Sequence, residues 1–353
     1  MNASRLTRRR VLTLAGLGLV AGPAFGQGFA GLGRHAGEFA VPRPETQLSF
    51  PADHAPHPDF RIEWWYVTAN LNGPDGTPYG VQWTLFRSAL TPASEQSGWS
   101  TTQAWMGHAA LTTPDRHFAA ERLARGGIGQ AGAGIEPFDA WIDDWRLSGP
   151  DLDHVTMKAA GEDFAFTLDL ATEAAFVLQG NNGFSVKSAA GQASHYYSQP
   201  FYEVAGTLRF EGREISVTGL AWLDREWSSQ PLSGDQEGWD WFSLHLEGGD
   251  KLMGFRLRGS PDFTAATYVS ADGTTTAFEN GVFSAEPMGQ TEIEGRDIPV
   301  RWQVRLPPRG IDVTVAALNA NAWMPLTFPY WEGPVTIEGS HSGQGYLEMT
   351  GYE

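Results

Sequence analysis

From Ile62 onwards the chain repeats one pattern. A run of alternating apolar and polar residues is followed by a short turn of Gly, Asp, Asn or Pro, and then by another such run. IEWWYVTANL, NGPDGTPYG and VQWTLFRS show it first. MKAAGEDFAFTLDL, GTLRFEGREISVTGL, WFSLHLEGGDKLMGFRLRG, ATYVSADGTTTAFE and RWQVRLPPRGIDVTVAAL repeat it. A period of two is the signature of a half-buried strand, and these turn residues suit hairpins. No segment reads as an amphipathic helix longer than about three turns. Many strands at regular spacing favour barrels or sandwiches. Roughly ten strand candidates precede QPLSGDQEG, residues 230–238, and roughly eight follow it, by strand spacing. The expected fold class is therefore all-β, with two antiparallel domains in tandem: residues 60–229, a linker at 230–238, and residues 239–353. A chain of 353 residues has room for both cores.

The N-terminus reads differently. SRLTRRRVLTLAGLGLVAGPAFGQG has a basic start, an apolar run from Val11 to Val20, and small residues near Ala24 and Gly26. The run is too short for a membrane span and suits a secretory signal peptide over residues 1–26. Thr7-Arg8-Arg9 before Arg10-Val11-Leu12 resembles the twin-arginine export signal. Residues 27–59, rich in Gly, Pro and Ala, read as an extended leader. The expectation is a periplasmic or secreted protein. It has no Cys, so disulfides and thiol chemistry are excluded. The formal charge of −17, with no basic run beyond the signal, argues against nucleic acid as a partner.

The 14 Trp point to large aromatic surfaces, in a core or around a ligand. Carboxylates stand among them twice. Glu63 precedes Trp64, Trp65 and Tyr66, and Asp224 and Glu226 lie between Trp222 and Trp227. Strand alternation puts Glu63 with Trp65, and Trp222 with Asp224 and Glu226. It also sets Trp239, Trp241, Ser243 and His245 on one mixed face, expected to be a ligand-facing barrel wall. Phe242, Leu244 and Leu246 fall on an apolar face expected to pack outside. One reading of the carboxylates is a salt bridge across the sheet to an Arg such as Arg87, Arg256 or Arg258. The other is acid chemistry. A carboxyl walled by indoles is poorly solvated, so its pKa rises, and neighbouring ring faces stabilise a developing cation. That scheme needs neither metal nor cofactor. QASHYYSQP adds His195 and Tyr197 as groups that could orient a polar head, and His108 lies in an apolar run as core or pocket wall.

Other motifs fail. DHAPHPD, residues 53–59, has no third or fourth ligand nearby for a metal. GIGQAG, residues 127–132, is not followed by a helix, so it cannot cradle a phosphate. Neither G-x-S-x-G nor H-E-x-x-H occurs.

EWWYVTANL, G-VQWTLFR, SHYYSQP, GLAWLDREWSS, GWDWFSLHL with KLMGFRLR, YWEGPVTIEG and GYLEMTGY together resemble the AttH-like family, which is related to carotenoid 1,2-hydratase (hydroxyneurosporene synthase). The resemblance spans about residues 60–353. It implies two lipocalin-like β-barrels and a hydrophobic ligand: a lipid, polyene or isoprenoid. It also implies either a carrier beside an Att-type ABC transporter permease, or a cofactor-free hydratase, cyclase or hydrolase. Where the hydratases carry Asp-His-Asn-Trp, this chain has Asp224-Arg225-Glu226-Trp227, and Arg225 cannot shuttle protons near neutral pH. The enzyme reading assigns Asp224 or Glu226 as acid and Glu63 as second carboxylate, with His195 and Tyr197 as positioning groups. Trp65, Trp222, Trp227, Trp239, Trp241, His245 and His108 are the candidate ligand contacts. A third reading fills both barrels with side chains and makes the tryptophans core.

Overall fold

A computed structural model describes residues 39–92, 98–230 and 232–352. The segment 1–26, expected to be a signal peptide, and the expected leader as far as residue 38 lie outside the described residues. The chain is almost wholly β. The first sheet contains β1 (Ile62–Asn72), β2 (Pro78–Ala89), β3 (Gln103–Thr112), β4 (His117–Arg125), β5 (Ala131–Ile135), β6 (Phe138–Ile142), β7 (Trp145–Gly149), β8 (His154–Ala160), β9 (Phe164–Ala171), β10 (Val177–Leu178), β11 (Phe184–Val186), β12 (Ala193–Phe210) and β13 (Arg213–Ser228). Its order is β4-β3-β2-β1-β13-β12-β9-β8-β7-β6-β5, with β10 and β11 paired to β12. Every strand pairing among the described residues of this sheet is antiparallel, and the sheet curls into a near-closed barrel.

The second half supplies β14 (Gly238–Leu246), β15 (Lys251–Arg258), β16 (Phe263–Val269), β17 (Thr275–Phe278), β18 (Ser284–Pro287), β19 (Thr291–Ile293), β20 (Arg296–Ile298), β21 (Arg301–Leu306), β22 (Ile311–Ala317), β23 (Trp323–Met324), β24 (Tyr330–Gly339) and β25 (Gly343–Met349). Its main order is β17-β16-β15-β14-β25-β24-β22-β21-β18, a half-barrel, with β23 added to β24 and β19-β20 as a separate hairpin. The strands exceed the number read from the sequence. Pieces of two to four residues, such as β10, β11, β19, β20 and β23, are too short to display an alternation.

Each sheet buries one face in its own core. Trp65, Val67, Ala69 and Leu71 of β1 join Trp83, Trp145 and Trp227 inside the first barrel. Phe242, Leu244 and Leu246 of β14 join Trp302 and Trp331 inside the half-barrel. This reverses the faces expected for β14. The apolar face lies inside, because a small curled sheet fills its concave side with its bulkiest apolar side chains. The mixed face of Trp239, Trp241, Ser243 and His245 therefore points outward, towards the first domain.

The two outer faces meet. Tyr66, Tyr196 and Trp222 from the first sheet pack with Trp241, Met253, Phe255 and Tyr346 from the second in one cluster. Closeness at this junction depends on Gly80 of β2, where a Cβ would sit 2.5 Å from Pro334 and 2.6 Å from the Tyr346 hydroxyl.

Candidate functional site

A cavity opens at this junction, between the domains and inside neither. Strand register explains its contents. In β1, Trp64 lies opposite Glu226 of β13, and Tyr66 opposite Asp224. On the other side of β13, Tyr196 of β12 faces Glu226 and Ser198 faces Asp224. In the second sheet Trp241 faces Glu348, which in turn faces Glu332 of β24. The lining includes Trp64, Tyr66, Phe86, His108, Lys187, Tyr196, Asp224, Glu226, Trp239, Trp241, Phe255, Phe328, Tyr330 and Glu348. Its volume is about 100 Å³, several times what one water needs. Trp64, Phe86, Trp239 and Phe328 are partly exposed and form the rim, while Tyr66, Tyr196, Asp224 and Tyr330 are buried.

Its carboxyls differ in state. Asp224 accepts from Ser198 Oγ (2.5 Å), Tyr196 Oη (2.6 Å) and Trp222 Nε1 (2.7 Å). Burial nevertheless outweighs these donors and lifts its pKa to about 7. Glu348 accepts from Trp239 Nε1 at 2.6 Å, and burial again holds it at about 7. It is only partly covered, because it borders the cavity. Glu332 lies behind it, bonded by the Tyr66 hydroxyl through Oε1, and its buried Oε2 has no hydrogen-bond partner among the described residues. Burial and the facing Glu348 push Glu332 well above the carboxylate range. Two carboxylates directly opposite on neighbouring strands repel each other, so this pair keeps at least one proton. Glu226 is held differently, by an ion pair to Lys187 Nζ at 2.9 Å and by the Ser194 hydroxyl. The Lys187 ammonium stands 4.8 Å from the Tyr196 ring centre and 4.4 Å from that of Phe255.

Other expected residues form a second cluster on the opposite face of the first sheet. Glu63 points into the barrel, paired with Arg87 Nε and with Arg225 Nη2 at 2.6 Å. Burial opposes its charge, but Arg87 and Arg225 outweigh burial and hold it well below the usual carboxylate range. Arg225 lies 3.7 Å from the centre of Trp65, and the His57 ring stacks on Trp227 at 3.8 Å. Tyr197 Oη meets His54 Nδ1 at 2.6 Å. His195 is buried, burial lowers its pKa to about 4, and its Nδ1 has no partner among the described residues. The leader segment caps this barrel end: Arg225 also donates to the Ala55 carbonyl, and Arg87 to those of His57 and Phe60. Asp53 and His57 of the DHAPHPD run thus belong to an ion-pair network around Glu63.

The structure accordingly brings Asp224, Glu226, Trp239, Trp241 and His108 to one cavity. It places Glu63, Trp65, His195, Tyr197 and Trp227 together elsewhere. Trp222 lies beneath Asp224, with its ring edge to His245 at 5.8 Å, and neither lines the cavity. His108 bonds Tyr330 Oη (3.0 Å) across the junction and Glu121 (3.2 Å) on the neighbouring strand β4 of its own sheet. Glu348, Glu332 and Lys187 were not singled out from sequence. A signal existed for the first two: YWEG and YLEM repeat the carboxylate-among-aromatics pattern of EWWY.

A family model described as AttH-like matches residues 41–352. The chain belongs to the AttH-like family. A crystal structure from Nitrosomonas europaea, named provisionally as an AttH, is 35% identical to this AttH-like chain, with a TM-score of 0.79; the match covers 89% of this chain and 100% of that one. Kievitone hydratase from Nectria haematococca matches at a TM-score of 0.66 and 13% identity, over 89% and 98% of the two chains. CghA, solved with Sch210972, matches at 0.54 and 12%, over 89% and 96%. At those identities the last two establish a shared fold. None of the curated proteins compared with the chain matches it.

Proposed function

We propose that this AttH-like protein binds a hydrophobic alkene in the cavity between its two domains and adds water to it by carboxyl acid catalysis. One observation carries the reading: a carboxyl at the cavity wall, Glu348, held at about pKa 7 amid aromatic rings and beside an ion-paired carboxylate. A general acid works best with a pKa near the operating pH. In the proposed step the Glu348 O–H bond breaks and a C–H bond forms at the alkene, which becomes a carbocation. The faces of Trp64, Tyr66 and Trp241 stabilise that cation. Water then forms the C–O bond and passes one proton to Glu226. The small cavity suits the reacting terminus, with the rest of a long ligand leaving past the rim. A solved protein of like fold is named a hydratase, which agrees with this chemistry without assigning it.

The test is incubation with prenyl alcohols such as geraniol and farnesol in oxygen-18 water, followed by mass spectrometry. Incorporation of one labelled water, lost in Glu348→Gln, is the expected result. Probes that bind and return unlabelled would instead make the protein a carrier. The three donors around Asp224 fix its carboxyl in place, which suits a binding site and speaks for that second reading. Export by the N-terminal signal and pairing with an ABC exporter permease extend either reading, and proteomics of the envelope fraction tests them.

A further inference from the structure

The cavity's charges and rings fit a ligand class that hydration alone does not require. Lys187 is the only Lys or Arg among the described lining residues, and Glu226 neutralises it at 2.9 Å. Among the described residues Asp224 and Glu348 have no cation paired to them, and Glu332 stands behind with a buried oxygen that lacks a hydrogen-bond partner there. Aromatic rings supply most of the remaining wall. Ring faces carry negative potential and attract a weakly hydrated ammonium, most strongly where water is displaced. An anionic ligand would meet carboxyls with no cation beside them, and a neutral one would gain no charge–charge attraction from them in its ground state.

We infer that the cavity is a receptor for organic cations, taking a tertiary or quaternary ammonium group between its tryptophans and its unpaired carboxyls. The inference rests on the cavity proposed above as the site, and it reads the same electrostatics in a stable ligand rather than a transient one. Binding is coupled to proton release. Burial holds both Asp224 and Glu348 at about 7, so a bound cation favours their ionised forms and affinity rises from pH 6 to pH 8. The other titratable groups facing the cavity do not reverse this sign. Burial keeps His108 below its ordinary value, and burial keeps Tyr66, Tyr196 and Tyr330 neutral. Lys187 stays locked to Glu226.

Choline and 3,3-dimethylbutan-1-ol test this, since they share a shape and differ in a quaternary nitrogen against a quaternary carbon. Calorimetry on the full chain is expected to show choline binding at least tenfold tighter at pH 8, with the gap narrowing at pH 6. Glu348→Gln and Asp224→Asn shrink the gap. Lys187→Met widens it, because Glu226 is left without its cation; damage to the fold would not produce a gain. Vesicles of phosphatidylcholine carry the same group on a surface. Their competition with choline would assign a lipid headgroup, and its absence a free ammonium compound. Equal affinity for the two probes, no binding of either, or weaker choline binding by Lys187→Met overturns the inference. None of those results bears on labelled-water incorporation into alkenes, which tests the proposed reaction separately.

Discussion

Glu63→Gln removes one negative charge from the inside of the first barrel. Arg87 and Arg225, both fully buried, are then left without their anion, because each pairs with Glu63. The His57 backbone N–H also loses a charged acceptor at 2.9 Å. Breaking one side of a buried ion pair costs about 3–5 kcal/mol. For a domain of about 150–250 residues, each kcal/mol moves Tm by roughly 2–4 °C, so a fall of roughly 6–20 °C is expected. The pH dependence has a definite sign. The folded-state carboxyl is held well below its usual 4.5, with burial opposed and outweighed by Arg87 and Arg225. Its stabilisation is therefore complete above pH 4.5 and is lost as pH falls through the folded value. Thermal melts followed by circular dichroism at pH 7 and pH 3.5 read both effects. The variant should lie far below wild type at pH 7 and approach it in acid. A variant within about 0.5 kcal/mol of wild type at pH 7, the range of an ordinary surface change, would refute a structural role for Glu63. So would a gap that grows in acid.

Asp224→Asn and Glu348→Gln should behave oppositely. Burial lifts both carboxyls to about 7, so wild-type stability falls as pH rises from about 4 to 7, and each variant should gain Tm relative to wild type between pH 5 and pH 8. Gly80→Ala drives a methyl into Pro334 and Tyr346 at the domain junction and should cost about 1–3 kcal/mol, read by chemical denaturation. Trp227→Ala removes the ring stacked on His57 and beside Arg225 and should cost about 3–5 kcal/mol by the same measure.

Much of this was legible in the sequence, for physical reasons. Alternation separated Asp224 and Glu226 from Arg225, and the register keeps that separation: the carboxylates face the cavity and Arg225 faces the barrel. Arg225 thus pairs with Glu63 and contributes no group to the cavity, so its presence there says little about proton transfer at Asp224. Arg87, named as a salt-bridge partner across the sheet, does pair with Glu63. What alternation cannot supply is which face is inside. Both faces of β14 carry large rings, and only the packing of two curled sheets decides that Phe242 goes in and Trp241 out. The cavity also needs residues about 270 positions apart, such as Tyr66 and Glu332, to meet across a junction that no local pattern marks. Glu348 joins the cavity only through that junction, although its surroundings in the sequence resemble those of Glu63.

The central claim is that a carboxyl at the domain junction keeps its proton near neutral pH. Infrared difference spectroscopy of wild type against Glu348→Gln, titrated from pH 5 to pH 9, measures it directly. A protonated-carboxyl C=O band that is missing in the variant and disappears in wild type with a midpoint near 7 is predicted. No such difference at pH 6 would contradict the account, because Glu348 would then be an ordinary carboxylate with no proton to give.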